Sequence, residues 1–480
     1  MACRTFLQRL RQWMTANSAK KCNFATCFIS HFPMNKSVST TVSYRRIWQI
    51  AYPILLSVLM EQLINLTDTA FLGRVGQVEL GASALSGIFY ISVFVIGLGF
   101  GQGAQILMAR RNGERCYSRI SGIFYHSLAF LLFLALVLCI FTSLLGPQVL
   151  RSIISNPEVA EAANNYLQWR VYGMFMAYVA ILFRSFYVAT VNTRMLTLNS
   201  LMMVGTNVVF DYVLIFGYGP VPALGISGAA IASVIAETVS MLFFIIYTRA
   251  RVDYRKYGFH RMPRARLSLF SHILGISVWT MMQDFLSLAT WFIFFLAVEH
   301  LGAAELAASN IIRNISSVTY MSVSALSATA MTLVSNMMGE GRVEGVLPML
   351  RRTVVLGYLV LVPVCLLIAA MPDAVFSIFT NETYLAEIGR GPLYVLLGCY
   401  VLTIPAQIYF RAVSGTGDTR MALIIETGTL FFYLAFVYVA IFRMQLSLAV
   451  SWCSEYVYQG MVLLMCLAYF RYSSWQTRRI

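Results

Sequence analysis

One pattern governs what this chain can fold into: apolar runs of roughly 18 residues or more recur along it, each long enough to cross a hydrocarbon core about 30 Å thick. Bounded by Gly, Pro or charge, they read as twelve spans, at 47–72, 82–108, 120–145, 164–189, 196–216, 226–248, 271–299, 304–335, 353–371, 390–412, 421–442 and 447–470. In lipid only helices and closed barrels satisfy their own backbone polar groups, and runs of this length are helical. The predicted fold class is therefore an all-α polytopic membrane protein. Composition agrees: 59% of residues are hydrophobic and 11% charged, against about 25% charged in an ordinary soluble domain. So little polar surface excludes disorder and a water-soluble enzyme.

The charge that is present sets orientation. The chain has 35 Lys+Arg and 20 Asp+Glu, net +15, a balance that in a soluble protein would point to nucleic acid. Here the basic residues flank apolar spans. Eight precede the first span; Arg110, Arg111, Arg115 and Arg119 follow the second; Arg184 and Arg194 lie near the fourth-to-fifth connection; seven fall in 249–266. Arg342, Arg351, Arg352, Arg411, Arg420, Arg471, Arg478 and Arg479 continue the pattern, so 29 of 35 lie on one side. Only Arg74, Arg151, Arg170, Arg313, Arg390 and Arg443 fall elsewhere. By the positive-inside rule both termini and the central loop are cytoplasmic, in a multi-pass protein of the inner membrane with no nucleic-acid partner.

Residues 1–45 read as a cytoplasmic tail. Arg4, Arg9, Arg11, Lys20 and Lys21 alternate with polar residues and leave no apolar core of secretory-signal length. Met34-Asn35-Lys36-Ser37 would itself make a short leader to the first span, so translation is expected to start at Met34, or residues 1–40 to form a loose tail. The nine Cys form no CxxC pair, and Cys139, Cys365, Cys399, Cys453 and Cys466 lie in apolar runs, where Cys behaves as a small hydrophobe. Cys22, Cys27 and His31 lack the fourth ligand of a zinc site.

The chain also repeats itself. A shift of 226 residues pairs Gly76 with Gly302, Glu79 with Glu305, Leu80 with Leu306, Ala104 with Ala330, Gly113 with Gly339 and Thr193-Arg194-Met195 with Thr419-Arg420-Met421. Phe183-Arg184 matches Phe410-Arg411 at 227. A six-span unit thus occurs twice, and because six is even the copies insert the same way up. The expected architecture is twelve transmembrane helices in two parallel six-helix repeats around a central cleft. Its parts are an N-lobe at 46–248, a basic linker at 249–270, a C-lobe at 271–470 and a cytoplasmic tail at 471–480. Rocking one bundle against the other offers alternating access to the cleft.

An ionisable side chain inside a span is costly and marks a functional candidate. Glu61, Asn65 and Asp68 fall on one face of the first span, beside Pro53; Asn207 and Asp211 share a face of the fifth; the sixth offers Ser233 and, deeper, Glu237. Oxygen ligands from several helices can hold Na⁺, and neighbouring carboxylates can carry a proton instead. Plain interhelical hydrogen bonds, worth about 0.6 kcal/mol on average, are the alternative; they suit Asn65, Asn207 and Ser233 better than the costlier Asp68 and Asp211. In the second repeat Asn207 and Asp211 become Tyr433 and Val437, so the ion site is expected in the N-lobe. In the C-lobe Asp284, Gln407, Glu426 and Glu455 are the polar candidates, with Arg313, Asn310 and Asn314 expected to neutralise Asp284. Glu61, Asn65, Asp284 and Gln407 are expected to line the cleft as accessory groups, among aromatic and Met side chains suited to varied organic cations.

Two motif matches carry no chemistry. Gly99-Phe100-Gly101-Gln102-Gly103-Ala104 fits GxGxxA but lies inside an apolar span, where its glycines allow close helix approach. Gly415-Thr416-Gly417-Asp418 lacks the Lys-Ser/Thr of a phosphate loop. HExxH, GxSxG and kinase signatures are absent, so an enzyme is not expected.

Ile50-Ala51-Tyr52-Pro53 through Asp68-Thr69-Ala70-Phe71-Leu72-Gly73-Arg74-Val75-Gly76 resembles the opening signature of the multidrug and toxic compound extrusion (MATE) family. Phe410-Arg411 with Gly415-Thr416-Gly417-Asp418-Thr419-Arg420 resembles its repeated intracellular motif, and Asn207–Asp211 followed by Pro222–Ala230 resembles its fifth and sixth helices. The resemblance runs from about 45 to 470. It implies a secondary antiporter that exports cationic amphiphiles in exchange for Na⁺ or H⁺, with no other cofactor, acting as a monomer in contact with membrane lipid. Asp68, Asn207, Asp211 and the hydroxyl of Ser233, where the family often has Thr, resemble the N-lobe cation site of DinF-like members, with Na⁺ at Asp68, Asn207 and Asp211. NorM-like members carry acids on the seventh and tenth helices; the tenth span here has none around Tyr400 to Gln407, which favours the DinF-like branch. Two other readings are a flippase for lipid-linked oligosaccharide, which would want a more basic cleft, and a non-transporting membrane scaffold, which would need no grouped acids.

Overall fold

In the computed structural model, which describes residues 42–260, 263–380 and 382–480, the chain is helical, with no strand among the described residues. The expected Met34 start and the Cys22, Cys27 and His31 grouping lie outside the described residues. Among the described residues thirteen longer helices carry the fold: α1 Tyr44–Val75, α2 Gln77–Gly113, α3 Ile120–Ile153, α4 Pro157–Arg170, α5 Gly173–Ala189, α6 Arg194–Phe216, α7 Gly225–Arg251, α8 Leu267–Glu299, α9 Ala303–Gly339, α10 Val346–Ala370, α11 Thr383–Gly415, α12 Thr419–Val437 and α13 Ser454–Tyr472. Among the described residues ten are long and apolar enough to span, and α4 and α5 make an eleventh span bent by 51°. The twelfth is α13, shorter and more polar through Ser454, Glu455 and Gln459.

Local chemistry explains where spans begin and break. Ser43 caps α1 by accepting from Arg46 N at 3.3 Å, and Asn156 caps α4 ahead of Pro157 by accepting from Glu158 N at 2.9 Å. The fourth span therefore starts at Pro157 rather than 164, and it breaks after Arg170. The last expected span, 447–470, is likewise divided at Cys453, between a short Leu448–Trp452 helix and α13. On the outermost helices α3 and α10, Phe133, Leu144, Leu359 and Leu366 are each more than 60% exposed, as side chains facing lipid should be.

The sequence repeat is also a repeat of geometry. Helices α2 and α9 are each 37 residues long, and their ends are offset by the same 226 residues. The turns after them pass through positive φ at Arg115 (58°) and Gly341 (73°), and those after α5 and α11 do so at Val191 (60°) and Gly417 (92°). Both pairs are 226 apart. The second copy meets the left-handed backbone with glycine; the first accepts strain, and at Val191 in a β-branched residue.

Helices α1–α7 pack as one bundle and α8–α13 as another. They are joined through the linker, where Asp253 caps the short Tyr254–Tyr257 helix. The bundles meet along α2, α8 and α9, at the end that carries the basic loops. Gly99 and Gly103 let α2 lie against the backbone of α8 at Ser277–Met281, and Gly113 lies against Asn336 of α9. Thr280 Oγ1 donates to Gly99 O at 2.7 Å, Gln105 Nε2 to Thr332 Oγ1 at 2.9 Å, Ser335 Oγ to Ile106 O at 2.7 Å, and Asn112 Nδ2 to Asn336 Oδ1 at 2.7 Å. The chain end reinforces the same seam: Arg110 Nη2 donates to Arg478 O at 2.5 Å, Arg111 Nη2 to Ile480 O at 2.9 Å, and Arg478 pairs with Asp418 at 2.5 Å. Toward the other end Leu63, Leu66, Ile88, Ile91 and Val318 are exposed. Between the bundles, α1, α9 and α10 border a half-open apolar cavity of about 320 Å³ lined by Leu55, Leu59, Val318, Thr319, Leu361 and Phe379.

Candidate functional site

The N-terminal bundle brings two aspartates together through helix register. Helices α1 and α6 run parallel, held by a buried hydrogen bond between the Ser57 and Ser200 hydroxyls at 2.6 Å and by Thr193 Oγ1 donating to Ile50 O at 3.2 Å. Both pairs are 143 residues apart. Eleven residues further, about three turns, the same offset sets Asp68 opposite Asp211. Helix α7 runs back along α6: Asn199 Nδ2 donates to Ser240 Oγ at 2.9 Å, and Gly228 rests on the Leu214 backbone, where a Cβ would come within 2.6 Å of the carbonyl carbon. This antiparallel register places Ser233 across from Asn207.

Asp211 and Asn207 are completely buried and Ser233 nearly so, while Asp68 is half-buried. The Asp68 carboxyl interacts with the side chains of Asp211, Asn207 and Ser233. These approaches do not complete hydrogen bonds, for Asp68 Oδ1, both Asp211 oxygens and both polar atoms of the Asn207 amide are buried without a hydrogen-bond partner. A buried polar group ordinarily finds one. Three helices thus aim a set of hard oxygen donors at one another. Among the described residues no trio of His, Cys, Asp or Glu is arranged to hold a metal, so this site has two carboxylates with an amide and a hydroxyl.

A second charged group lies in the same bundle, and sequence reasoning did not assemble it. Arg170, the last residue of α4 before the bend, forms a 2.7 Å ion pair with Glu237, which stands one turn beyond Ser233 on the same face of α7. The Arg170 guanidinium also sits 4.3 Å from the Tyr90 ring centroid. Arg170, one of the six basic residues that the sequence sets apart from the cytoplasmic side, is half-buried beside the α4–α5 break and paired within the bundle. The available signal was its position seven residues into the predicted fourth span.

The accessory candidates are dispersed. Glu61 pairs with Arg184 of α5 at 2.5 Å, and Asn65 is exposed, bonded only to Gln62 of its own helix at 3.5 Å. Gln407 accepts from Tyr320 at 3.2 Å and donates to Gln459 at 3.1 Å inside the C-terminal bundle. Asp284 is not neutralised by Arg313, Asn310 or Asn314. Its partners are Arg411 of α11 at 3.4 Å and Gln102 of α2, which donates to Asp284 Oδ2 at 2.7 Å and also accepts from Arg411. Arg313 packs on the Phe295 ring instead, 5.1 Å from its centroid, and Asn310 bonds back to Leu306 O. The correction also moves Arg184 and Arg411 from the loops to ion pairs within helices. Glu426 accepts from Ser287 at 2.6 Å and from Tyr458 at 2.9 and 3.0 Å.

The family model described as MatE matches residues 53–213 and again residues 280–439. The chain belongs to the MatE family. The two matches begin 227 residues apart, so each covers one copy of the repeat. Among MatE relatives, a probable multidrug resistance protein NorM of Thermotoga maritima is 25% identical over 90% of this chain and 93% of its own length. A probable multidrug resistance protein YoeA of Bacillus subtilis is 22% identical over 78% and 81%. In fold, the chain superposes on an outward-facing multidrug resistance MATE transporter of the MOP superfamily with a TM-score of 0.82 at 18% identity, covering 91% of this chain and 97% of that one. It superposes on the eukaryotic MATE transporter AtDTX14 with a TM-score of 0.78 at 17% identity, covering 90% and 96%. This MatE protein is thus a multi-pass membrane transporter of small molecules with the twelve-helix, two-bundle fold. It is not an enzyme, and the scaffold reading falls with the family assignment.

Proposed function

We propose that this MatE protein is a secondary antiporter that exports organic, cationic amphiphilic compounds by alternating access, driven by Na⁺ or H⁺ bound at Asp68, Asn207 and Asp211 with Ser233. One observation carries the reading: two facing carboxylates and an amide on α1 and α6, of which Asp68 Oδ1, both Asp211 oxygens and both Asn207 amide atoms are buried without a protein hydrogen-bond partner. A fully buried carboxylate is too costly to keep unless a cation or a proton neutralises it during the cycle. The donor set suits either ion, since Na⁺ takes hard oxygen ligands and the same oxygens accept protons.

The coupling is DinF-like in this reading, although relatives carry the NorM name. Asp284, the acid on the seventh span, is engaged by Arg411 and Gln102, and α11 holds no acid beyond Glu387. The basic loops, the described start of α1 and the chain end share one side, proposed to be cytoplasmic in the inner membrane. The protein acts as a monomer in lipid. A flippase for a pyrophosphate-linked sugar would want a basic cleft, whereas this bundle gathers acids.

The test is efflux from proteoliposomes, with a Na⁺ gradient and a pH gradient imposed separately and a fluorescent organic cation as substrate. Asp68→Asn and Asp211→Asn are expected to abolish gradient-driven export while inserting at normal levels. Unimpaired export by both variants would overturn the assignment.

A further inference from the structure

The proposed ion site has a neighbour that its function does not yet use. Arg170, half-buried, and Glu237, buried, form a pair close enough to Asp68 for the Arg170 charge to be felt there, and the buried Tyr166 of α4 lies among Arg170, Asp68 and Glu237. The pair is incompletely satisfied. Arg170 Nη1, Glu237 Oε2, Tyr90 Oη and Asn164 Oδ1 are all buried without a hydrogen-bond partner. The charges facing this region are Asp68 from α1, Arg170 from α4, Asp211 from α6 and Glu237 from α7, with the phenols of Tyr90, Tyr166 and Tyr178 around them. Glu237 and Asp68 therefore share the Arg170 cation, with Asp211 beside Asp68. Gly173, the first residue of α5, makes the room: a Cβ there would lie 2.6 Å from Arg170 Nη1 and would also strike Glu237 Oε2.

We infer that Arg170 and Glu237 are an electrostatic pair of positioning residues that sets how tightly Asp68 and Asp211 hold the coupling ion. This rests on the ion site proposed above. The pair touches neither substrate nor ion in this role. It fixes the potential in which the ion binds, because interactions in a buried, poorly screened interior act over several ångströms. With the pair intact its own charges cancel, and the site presents the two aspartates. Without Arg170 the Glu237 carboxylate adds negative charge and tightens cation binding, which slows ion release and hence turnover. Without Glu237 the guanidinium repels the incoming cation. A pair that served only to hold α4 and α7 together would behave differently: either single loss would weaken the fold, and both would change ion binding in the same direction.

The experiment measures, for purified protein in proteoliposomes, the Na⁺ concentration giving half-maximal export at fixed pH and the pH of half-maximal export without Na⁺. Arg170→Gln is expected to raise apparent cation affinity about tenfold and Glu237→Gln to lower it about tenfold, a shift of order one decade per uncompensated neighbouring charge. The double variant is expected to return to within about threefold of the unaltered protein. Shifts of the same sign in the two single variants, or shifts below twofold in both, would overturn the inference. Arg170→Lys and Glu237→Asp keep the charges and are expected to keep the affinity, so they decide the matter should either neutral variant fail to insert. Asp211→Asn, run alongside, separates the two readings. Loss of coupling in Asp211→Asn with unmoved affinities in the pair variants sinks this inference alone, whereas full coupling in Asp211→Asn sinks the ion site itself.

Discussion

Replacing Gly99 with alanine isolates the energetics of the interlobe seam. A Cβ at Gly99 would lie 2.6 Å from Met281 Cα, 2.8 Å from its nitrogen and 2.9 Å from Thr280 O, where ordinary contact begins at 3.4 Å. The obstructing atoms are backbone and cannot rotate away, so α2 and α8 must part by roughly 0.8 Å, in an interior with no slack to absorb the shift. Overpacking of this kind costs about 1–3 kcal/mol, and the parting also strains the 2.7 Å bond from Thr280 Oγ1 to Gly99 O. Alanine gains about 0.8–1.0 kcal/mol of helix propensity over glycine, but equally whether the seam is closed or open, so that gain cancels from the conformational equilibrium. The net expectation is a shift of about 5- to 150-fold toward the seam-open state. Spin labels at Arg119 and Glu344, exposed on opposite sides of the seam, would report it as a growing long-distance population in pulsed dipolar spectroscopy. Gly87→Ala, on the same helix but with nothing within 4 Å of its Cβ, should leave the distribution unchanged. A Gly99→Ala distribution matching that of the unaltered protein would refute the argument.

Other outcomes follow from the same structure. Asp284→Asn leaves Arg411 buried without its counter-charge and should destabilise the protein by about 3–5 kcal/mol, seen as a lower Tm in detergent; Asp284→Asn with Arg411→Gln should recover most of that loss. Deleting Arg478–Ile480 removes the bonds to Arg110, Arg111 and Asp418. It should shift the label distances in the same direction as Gly99→Ala, by about 0.5–1.5 kcal/mol per hydrogen bond lost. Val191→Gly relieves a β-branched residue at φ 60° and should stabilise the protein by about 1 kcal/mol in thermal unfolding.

Apolar run length and basic-residue placement made the helical class, the twofold repeat and the grouping of loops readable from sequence, because a bilayer leaves few alternatives. Even the opposition of Asp68 and Asp211 left a trace: each follows a serine by eleven residues, Ser57 and Ser200, and those serines bond to each other. That spacing becomes informative only once α1 and α6 are known to be neighbours. Ion pairing was less legible. Arg411 sits at the end of a predicted span and reads as a loop charge, yet α11 runs on to Gly415 and keeps it within the helix, paired with Asp284. Arg170 was hidden by the α4–α5 break: the sequence turns there from the polar Pro157–Arg170 to the apolar Gly173–Ala189, but composition does not give the direction of the bend. Arg313 was a reasonable partner for Asp284 by charge alone, but it lies on another face and satisfies itself on an aromatic ring.

The hydrogen bonds across the seam involve Gln102, Gln105, Asn112, Thr280, Thr332, Ser335 and Asn336, set among glycines. A greasy contact of the same extent would adhere strongly and expose a surface that water wets badly each time it came apart. Hydroxyls and amides hold through bonds that water can replace nearly one for one, so the surfaces uncovered on separation are wettable and the net free energy of parting stays small. An adhesive of this kind combines a definite register when shut with easy release, which suits a joint that must be remade at every turnover.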